Sequence, residues 1–180
     1  VLITRSRLLA LIKNSSTSVI NGVGIRILKE FQETYGYTNE VDEESLLKLA
    51  KTLASSYNDA PLGIEFVFAY TETPKMVTTT KYSKDIPNSE KVKYLATVSD
   101  AAYAHDPRIV QVMANLTDET QEVTIFNTNG LWRSDIRNHQ RITCNAIARE
   151  EGKMEAYYDQ YGGNFGVEYF DKFDFVSFGK

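Results

Sequence analysis

The sequence predicts an α+β fold, a mostly antiparallel sheet with two or more helices packed on it. Two stretches carry apolar residues at helical spacing, one after Asp42 and one after Ser89. Most other stretches alternate or run as short apolar segments, which is typical of strands. Turn sequences such as Asn129-Gly130 separate neighbouring strands by only a few residues, as in antiparallel hairpins.

The composition is that of an ordinary globular protein. The 180 residues are 42% hydrophobic and 24% charged, and the length suits one long domain. A net charge of −4 argues against nucleic acid as a partner, because a phosphate-binding face clusters Lys and Arg. A basic stretch at Arg133, Arg137 and Arg141 is interrupted by Asp135, so we interpret it as a solvated strand edge. No apolar run of about 18 residues occurs, so no membrane span is predicted.

The single cysteine and the two ends of the sequence suggest a location and an origin. Cys144 has no partner for an internal disulfide, so a reducing, cytoplasmic location is expected. It lies in a strand-like stretch, and we expect a core residue rather than a nucleophile. The sequence begins at Val1 without a Met or a signal-peptide pattern, and it ends at Lys180 after an aromatic-rich stretch. We therefore expect a fragment of a longer protein.

Strands and turns dominate the first forty residues. Val1–Lys13 is apolar and extended, which predicts one or two strands, and a polar turn follows. Val19–Lys29 predicts a strand in which Gly22 and Gly24 indicate a bulge or a close approach of another backbone. Glu33–Thr38 predicts a short strand.

Two helices are predicted. Asp42 is a good N-cap for the first, which we expect to end near Asn58 because Pro61 follows. Residues 60–86 show no usable periodicity apart from a short strand at Val67–Tyr70. Ser89 opens the second helix and Pro107 closes it. The expected buried stripe of the second helix is Val92, Leu95, Ala96, Val98, Ala102 and Tyr103.

From Arg108 onward the sequence again predicts strands joined by tight turns. The predicted strands are Ile109–Leu116, Glu122–Asn127, Leu131–Ile136, Ile142–Arg149 and Met154–Tyr158. The predicted turns are Thr117–Thr120, Asn129-Gly130 and Glu150–Lys153. The order of elements divides residues 1–180 into two β-rich sub-regions, about 1–60 and 88–170, joined by an irregular segment. It also suggests an internal duplication of a β-rich unit.

Candidate chemical groups are sparse. His105 and His139 are the only histidines, and no His-x-x-x-His pair places two ligands on one helical face, so no metal site is predicted. No Gly-x-Ser-x-Gly elbow occurs, and the acidic pairs lie at predicted element ends, so no catalytic residue is predicted. The stretch GGNFG, with Gly162, Gly163 and Gly166, matches neither a dinucleotide nor a phosphate-loop pattern. By itself it indicates a turn or a close backbone approach.

An ordered series of short motifs resembles the TldD/PmbA family of metallopeptidases over roughly nine-tenths of the chain. Before and within the first strand pair, the match is carried by Gly22, Val23, Gly24, Arg26, Gly36 and Tyr37. After the second helix it is carried by Asp106, Arg108, Val110–Leu116 and Asn129-Gly130. Further on it is carried by Asp135, Arg137, Arg141, Glu151, Gly152, Lys153, Glu155, Gly162, Gly163, Phe165 and Gly166. Asn138 replaces a proline that is usual in the family, and Asn164 interrupts the glycine run.

The resemblance implies a supporting role for this chain. Active family members bind zinc through a His-Glu-x-x-x-His helix and a later cysteine, which lie beyond the glycine-rich segment and outside this sequence. The chain is then an N-terminal domain that needs no cofactor itself and belongs to a cytoplasmic zinc peptidase that cleaves unfolded or small peptides. A homodimer or a heterodimer with another family member is expected. The family's older label, modulator of DNA gyrase, has no support in an acidic chain.

The resemblance also suggests a role for the glycine-rich segment. We expect it to form a wall or hinge of the peptide cleft, with Gly162, Gly163, Asn164, Phe165 and Gly166 as substrate-binding residues. The alternative is a non-catalytic PmbA-like partner subunit or a peptide-binding interaction module, which would need neither metal nor nucleophile.

Overall fold

The computed structural model describes residues 2–6, 9–60 and 63–180, which form two compact units. One unit is Thr17–Glu65, and the other combines the described residues of Val1–Ser16 with Phe66–Lys180. The mostly antiparallel sheets and several helices confirm the predicted α+β fold. Val1, Arg7 and Leu8 of the first predicted strand region, and Pro61 after the first helix, lie outside the described residues.

The Thr17–Glu65 unit is a two-stranded hairpin with one helix. Strand β3 (Val23–Lys29) pairs antiparallel with β4 (Gln32–Thr38), and α1 (Glu43–Ala54) follows. The Asp42 carboxylate accepts a 2.9 Å hydrogen bond from the Ser45 amide, which confirms the predicted N-cap. The helix ends at Ala54, four residues before the end near Asn58 that the sequence predicts.

The glycines at the start of this hairpin lie against tyrosine side chains. A Cβ on Gly22 would come within 2.0 Å of the Tyr37 hydroxyl, and one on Gly24 within 2.6 Å of the Tyr35 hydroxyl. The β3–β4 register runs without a shift from Val23 to Lys29, so the expected bulge is absent from this stretch. The close approach that the glycines indicated is therefore made by aromatic side chains rather than by a backbone.

The larger unit is built on a six-stranded sheet. Its strands are β1 (Leu2–Ser6), β2 (Leu9–Asn14), β5 (Ala69–Tyr70), β6 (Ile109–Phe126), β7 (Leu131–Glu150) and β8 (Lys153–Gly163). The order is β2-β1-β6-β7-β5, and β8 pairs with the same side of β7 as β5 does, further along the strand. The helices are α2 (Asn88–His105) and α3 (Phe175–Gly179), with 3-10 turns at Ser83–Asp85 and Val167–Lys172.

Two long strands replace the four shorter ones expected before β8. The predicted turn at Thr117–Thr120 is wrong, because β6 runs through it for 18 residues, and β7 continues for 20 residues without the break expected after Ile136. Polar partners explain the continuity. Asp118 binds the Lys91 ammonium at 2.9 Å, and the Thr120 hydroxyl donates a 2.9 Å hydrogen bond to the Asn138 side-chain oxygen. The turn at Asn129-Gly130 is confirmed, with Gly130 at a φ of 82°.

The main core lies between α2 and the inner face of β6 and β7. The helix buries Leu95, Val98 and Ala102 as expected, whereas Val92, Ala96 and Tyr103 are only half-buried. The inner-face residues of the two strands are Ile109, Val112, Ala114, Leu116, Ile142 and Cys144. Val167 and Phe170, from the 3-10 turn after β8, complete the same cluster.

The two stretches expected to be duplicates pair differently. In the first, β2 pairs with β1, and β3 pairs with β4 in a separate sheet. In the second, β6, β7 and β8 form one continuous meander. The strand arrangement therefore does not support the expected internal duplication.

Candidate functional site

The glycine-rich segment begins inside a strand. The strand that was expected to end at Tyr158 continues as β8 to Gly163, where Gly162 pairs with Arg141 and Gly163 with Gln140 of β7. A Cβ on Gly162 would lie 2.4 Å from the Gln140 carbonyl oxygen and 3.1 Å from the Arg141 Cα. Gly162 therefore permits the close backbone approach that the sequence indicated.

At the other two glycines, Gly163 and Gly166, neighbouring side chains occupy the space that a Cβ would need. A Cβ on Gly163 would lie 2.7 Å from the ring of Phe165, which folds back over the strand end. A Cβ on the buried Gly166 would lie 2.2 Å from the Glu168 carboxylate and 2.5 Å from the Thr79 methyl. Asn164 is exposed between these two closely packed glycines, so its polar side chain is accessible to solvent.

The 3-10 turn after the segment is fixed to the chain at Lys81. The Val167 amide donates to the Lys81 carbonyl at 3.0 Å, and the Lys81 amide donates to the Glu168 carboxylate at 2.9 Å. The Lys81 ammonium binds Asp171 at 2.7 Å, and this hydrogen bond raises the pKa of Lys81. A three-point attachment to a residue more than eighty positions earlier holds the end of the segment in place.

Aromatic rings surround the segment. Phe165 stacks on Tyr169 at a centroid distance of 4.1 Å, and Tyr161 packs on Phe173 at 4.9 Å. The hydroxyls of Tyr161 and Tyr169 share a hydrogen bond, which raises the pKa of Tyr161. Both tyrosines remain more than a third exposed, so the cluster offers rings and hydroxyls to solvent. Their role was not predicted, although the density of aromatic residues after Tyr157 is visible in the sequence.

Strand β8 offers a long unpaired edge beside this cluster. Within the described part of the chain it pairs with β7 alone, and residues 153–162 are exposed on both faces. Met154, Tyr157 and Tyr158 are 54%, 72% and 51% exposed. An edge with free amides and carbonyls, flanked by apolar side chains, can accept another extended chain by strand pairing.

The groups considered as nucleophile or ligands are dispersed. Cys144 is buried, and desolvation raises its pKa to about 11, which fits the expected core role. His105 ends α2 and His139 lies on β7, and the described residues contain no group of three His, Cys, Asp or Glu side chains that could hold a metal ion. The Asn138 side chain, where the resemblance leads us to expect a proline, donates to the Thr79 hydroxyl at 3.0 Å and accepts from the Thr120 hydroxyl.

Family comparison covers most of the chain in two parts. The profile of the PmbA/TldA metallopeptidase central domain matches residues 81–180, and that of the PmbA/TldA metallopeptidase domain 1 matches residues 11–56. No helix among the described residues is long and apolar enough to cross a membrane.

Individual relatives are distant but match over most of the chain. A metalloprotease TldD homolog of Haemophilus influenzae is 25% identical over 162 residues, covering 89% of this chain and 34% of the relative. Another TldD homolog, from Buchnera aphidicola, is 26% identical and covers 81% of this chain and 30% of the relative. The chain thus spans about a third of the length of these relatives.

Solved structures share the fold. A crystal structure from Thermotoga maritima, described as a candidate modulator of a DNA gyrase, superposes with a TM-score of 0.67 at 18% identity, covering 99% of this chain and 39% of that one. A Bacteroides thetaiotaomicron protein with the same description gives a TM-score of 0.65 at 14% identity, covering 91% of this chain and 38% of that one.

Proposed function

Because this chain belongs to the TldD/PmbA family of metallopeptidases, we propose that it is the non-catalytic N-terminal part of a zinc peptidase that cleaves unfolded or small peptides. In this proposal Gly162–Gly166 forms one wall of the peptide cleft. The observation that most directly supports this assignment is the position of the segment, which lies at the end of an exposed edge strand and beside partly exposed aromatic rings.

An extended peptide suits this position physically. The free edge of β8 supplies backbone donors and acceptors that do not depend on the peptide sequence. Tyr161, Phe165 and Tyr169 supply ring surface, and the exposed Asn164 supplies a side-chain amide. Such a site favours chains that can become extended, which is why unfolded or small peptides are the proposed substrates.

The zinc ion belongs elsewhere in this proposal. The described residues do not fit a zinc site, because no three suitable side chains lie close together among them. The ion would be held by residues of the parent protein outside this chain, and we assign no step of the reaction to residues of this chain. A cytoplasmic location and a dimer with a second family member are parts of the same proposal.

Activity measurements on the parent protein test the cleft assignment. Full-length parent protein should cleave an unstructured model peptide in a chelator-sensitive manner, and Gly163→Val should lower this rate because the new side chain displaces the Phe165 ring. Leu28→Val, at an exposed position of β3, is the control and should keep the parental rate.

The second arm of this test uses the 180-residue chain alone, without the rest of the parent protein. It should contain no stoichiometric zinc and cleave no peptide, and elemental analysis checks the metal content. An unchanged rate in Gly163→Val would remove the segment from the cleft. A parent without chelator-sensitive activity would leave the non-catalytic partner subunit as the better description.

A further inference from the structure

A cavity of about 440 Å³ lies outside the glycine-rich segment. It is lined by the end of α2, the inner face of β7 and β8, and the last residues of α3. Its volume falls within the range of small-ligand sites, roughly 300–1,000 Å³.

Small side chains of β7 form the floor of the cavity. Cys144, Ala146 and Ala148 occupy alternate positions of the strand and therefore share one face. Ile109 and Phe178 add apolar walls. These residues leave room for, and can bury, a short aliphatic chain.

Two carboxylates of β8 lie on the same face. Glu155 pairs across the strands with Ala148, and Asp159 pairs with Cys144, so both side chains project to the side of the small residues. Their positions along β8 are four residues apart, or about 13 Å. The proximity of the Asp159 charge also contributes to the raised pKa of the Cys144 thiol.

The charge of the cavity is predominantly negative. Its lining carries three carboxylates, those of Asp106, Glu155 and Asp159, and two basic groups, the His105 imidazole and the Lys180 ammonium. Asp106 is already paired with Arg108 at 2.6 Å. Among the described residues, no ion pair is formed by Glu155 or Asp159. The cavity therefore combines an apolar floor with two carboxylates available to a cation.

We propose that this cavity binds an aliphatic ammonium group, presented by a lysine side chain or by a free alkylamine. The alkyl stem lies over Ala146 and Ala148, and the ammonium lies at Glu155 or Asp159. Ammonium-bearing ligands match this site because the stem is apolar and the head is a compact cation. The site uses side chains on one face of β8, whereas the proposed peptide cleft uses the backbone edge of β8 and Gly162–Gly166, so each assignment is tested by different variants.

Alanine-methyl NMR of the 180-residue chain tests the proposal. Titration with n-pentylamine should shift the methyl signals of Ala146 and Ala148 in a saturable way, while 1-pentanol at equal concentration and salt should not. Glu155→Gln combined with Asp159→Asn should weaken binding roughly five- to tenfold, since each partly exposed ion pair contributes little alone. Glu122→Gln, at an exposed position of β6, is the control and should bind as the parent chain does.

The two sources of the ammonium are compared in the same experiment. A short blocked peptide with one central lysine should bind more tightly than both n-pentylamine and the same peptide with norleucine in place of lysine if a polypeptide is the source, and no more tightly than n-pentylamine if a free amine is. Either result supports the ammonium site. Equal shifts with 1-pentanol, or unaltered binding in the double variant, would overturn it.

Alkylation of the single cysteine gives a second readout. Cys144 lines the cavity. Bound n-pentylamine should therefore slow the reaction of Cys144 with a small thiol reagent, in proportion to the fraction of protein molecules whose cavity is occupied. The double variant should lose this protection at the same amine concentration. Protection that persists in the double variant would contradict the assignment even if NMR signals were weak.

Discussion

Strands β6 and β8 flank β7 on opposite sides and differ in what holds them. β6 is paired with β7 along its length and with β1 at residues 111–115, and it buries Val112, Ala114 and Leu116 beneath α2. β8 is paired with β7 alone within the described residues, and all of its residues before Gly163 are exposed. One strand is held by side-chain burial, and the other mainly by its backbone ladder.

This difference indicates where each strand can serve the protein. Where a strand is covered on one face and paired on both edges, its backbone has no free edge for a ligand to pair with, so this part of β6 contributes mainly to stability. A strand with free faces and a free edge contributes less to stability and keeps its hydrogen-bonding groups available. Both proposals above, the peptide cleft and the ammonium site, therefore involve β8.

Truncation of a β6 core residue should have the largest effect. Leu116→Ala removes a side chain that is 2% exposed and should lower the free energy of unfolding by about 2–5 kcal/mol. Tyr157→Ala on β8, where the side chain is 72% exposed, should change it by no more than about 0.5 kcal/mol. Urea denaturation measures both, and equal losses would break the contrast between the strands.

A substitution in the backbone ladder of β8 should have an intermediate effect. Gly162→Ala places a methyl 2.4 Å from the Gln140 carbonyl oxygen, so the strands must separate locally, at a cost of about 1–3 kcal/mol. The same denaturation assay applies, with Tyr157→Ala as the control. If Gly162→Ala were as mild as Tyr157→Ala, the pairing of β7 and β8 would not be what holds β8.

The smallest expected effect is a pH-dependent change in Tm from an ion pair near the start of β6 and the end of β7. Arg108 binds Asp106 and Glu150, and its hydrogen bond lowers the pKa of Asp106 to about 2 from 3.8. A lowered pKa stabilises the fold above about pH 4, and this contribution is lost as the pH falls towards 2. Asp106→Asn should therefore lower Tm slightly at pH 6 and not at pH 2.

The measurement is a pair of thermal melts at each pH. The control is Glu122→Gln, at an exposed position of β6, which should follow the parent at both values. A difference between Asp106→Asn and the parent that is as large at pH 2 as at pH 6 would show that the ion pair is not its source.

Features set by local chemistry could be predicted from the sequence. The Asp42 cap, the Asn129-Gly130 turn and the Glu150–Lys153 turn each depend on a few adjacent residues, and all three occur as predicted. The burial of Cys144 followed from its strand-like surroundings. These signals are short in range, so the rest of the fold does not alter them.

Features set by distant partners could not be predicted. The sequence around Asp118 predicts a turn, but the partner of Asp118 is Lys91, which lies 27 positions away on α2. A lysine is rarely expected in a core, yet Lys91 is 6% exposed, with its ammonium bound to Ser83 and Asp118. In the same way, spacing alone did not reveal that Phe165 and Thr79 pack on Gly163 and Gly166.

The pairing of β1 has a consequence for the order in which the chain folds. Leu2–Ser6 pairs with residues 111–115 of β6, about a hundred residues later in the sequence. During synthesis, β1 leaves the ribosome about a hundred residues before its partner in β6 and must wait for it, while the Thr17–Glu65 unit can form in between. Since long-range pairing slows folding, closure of this strand is expected among the late steps.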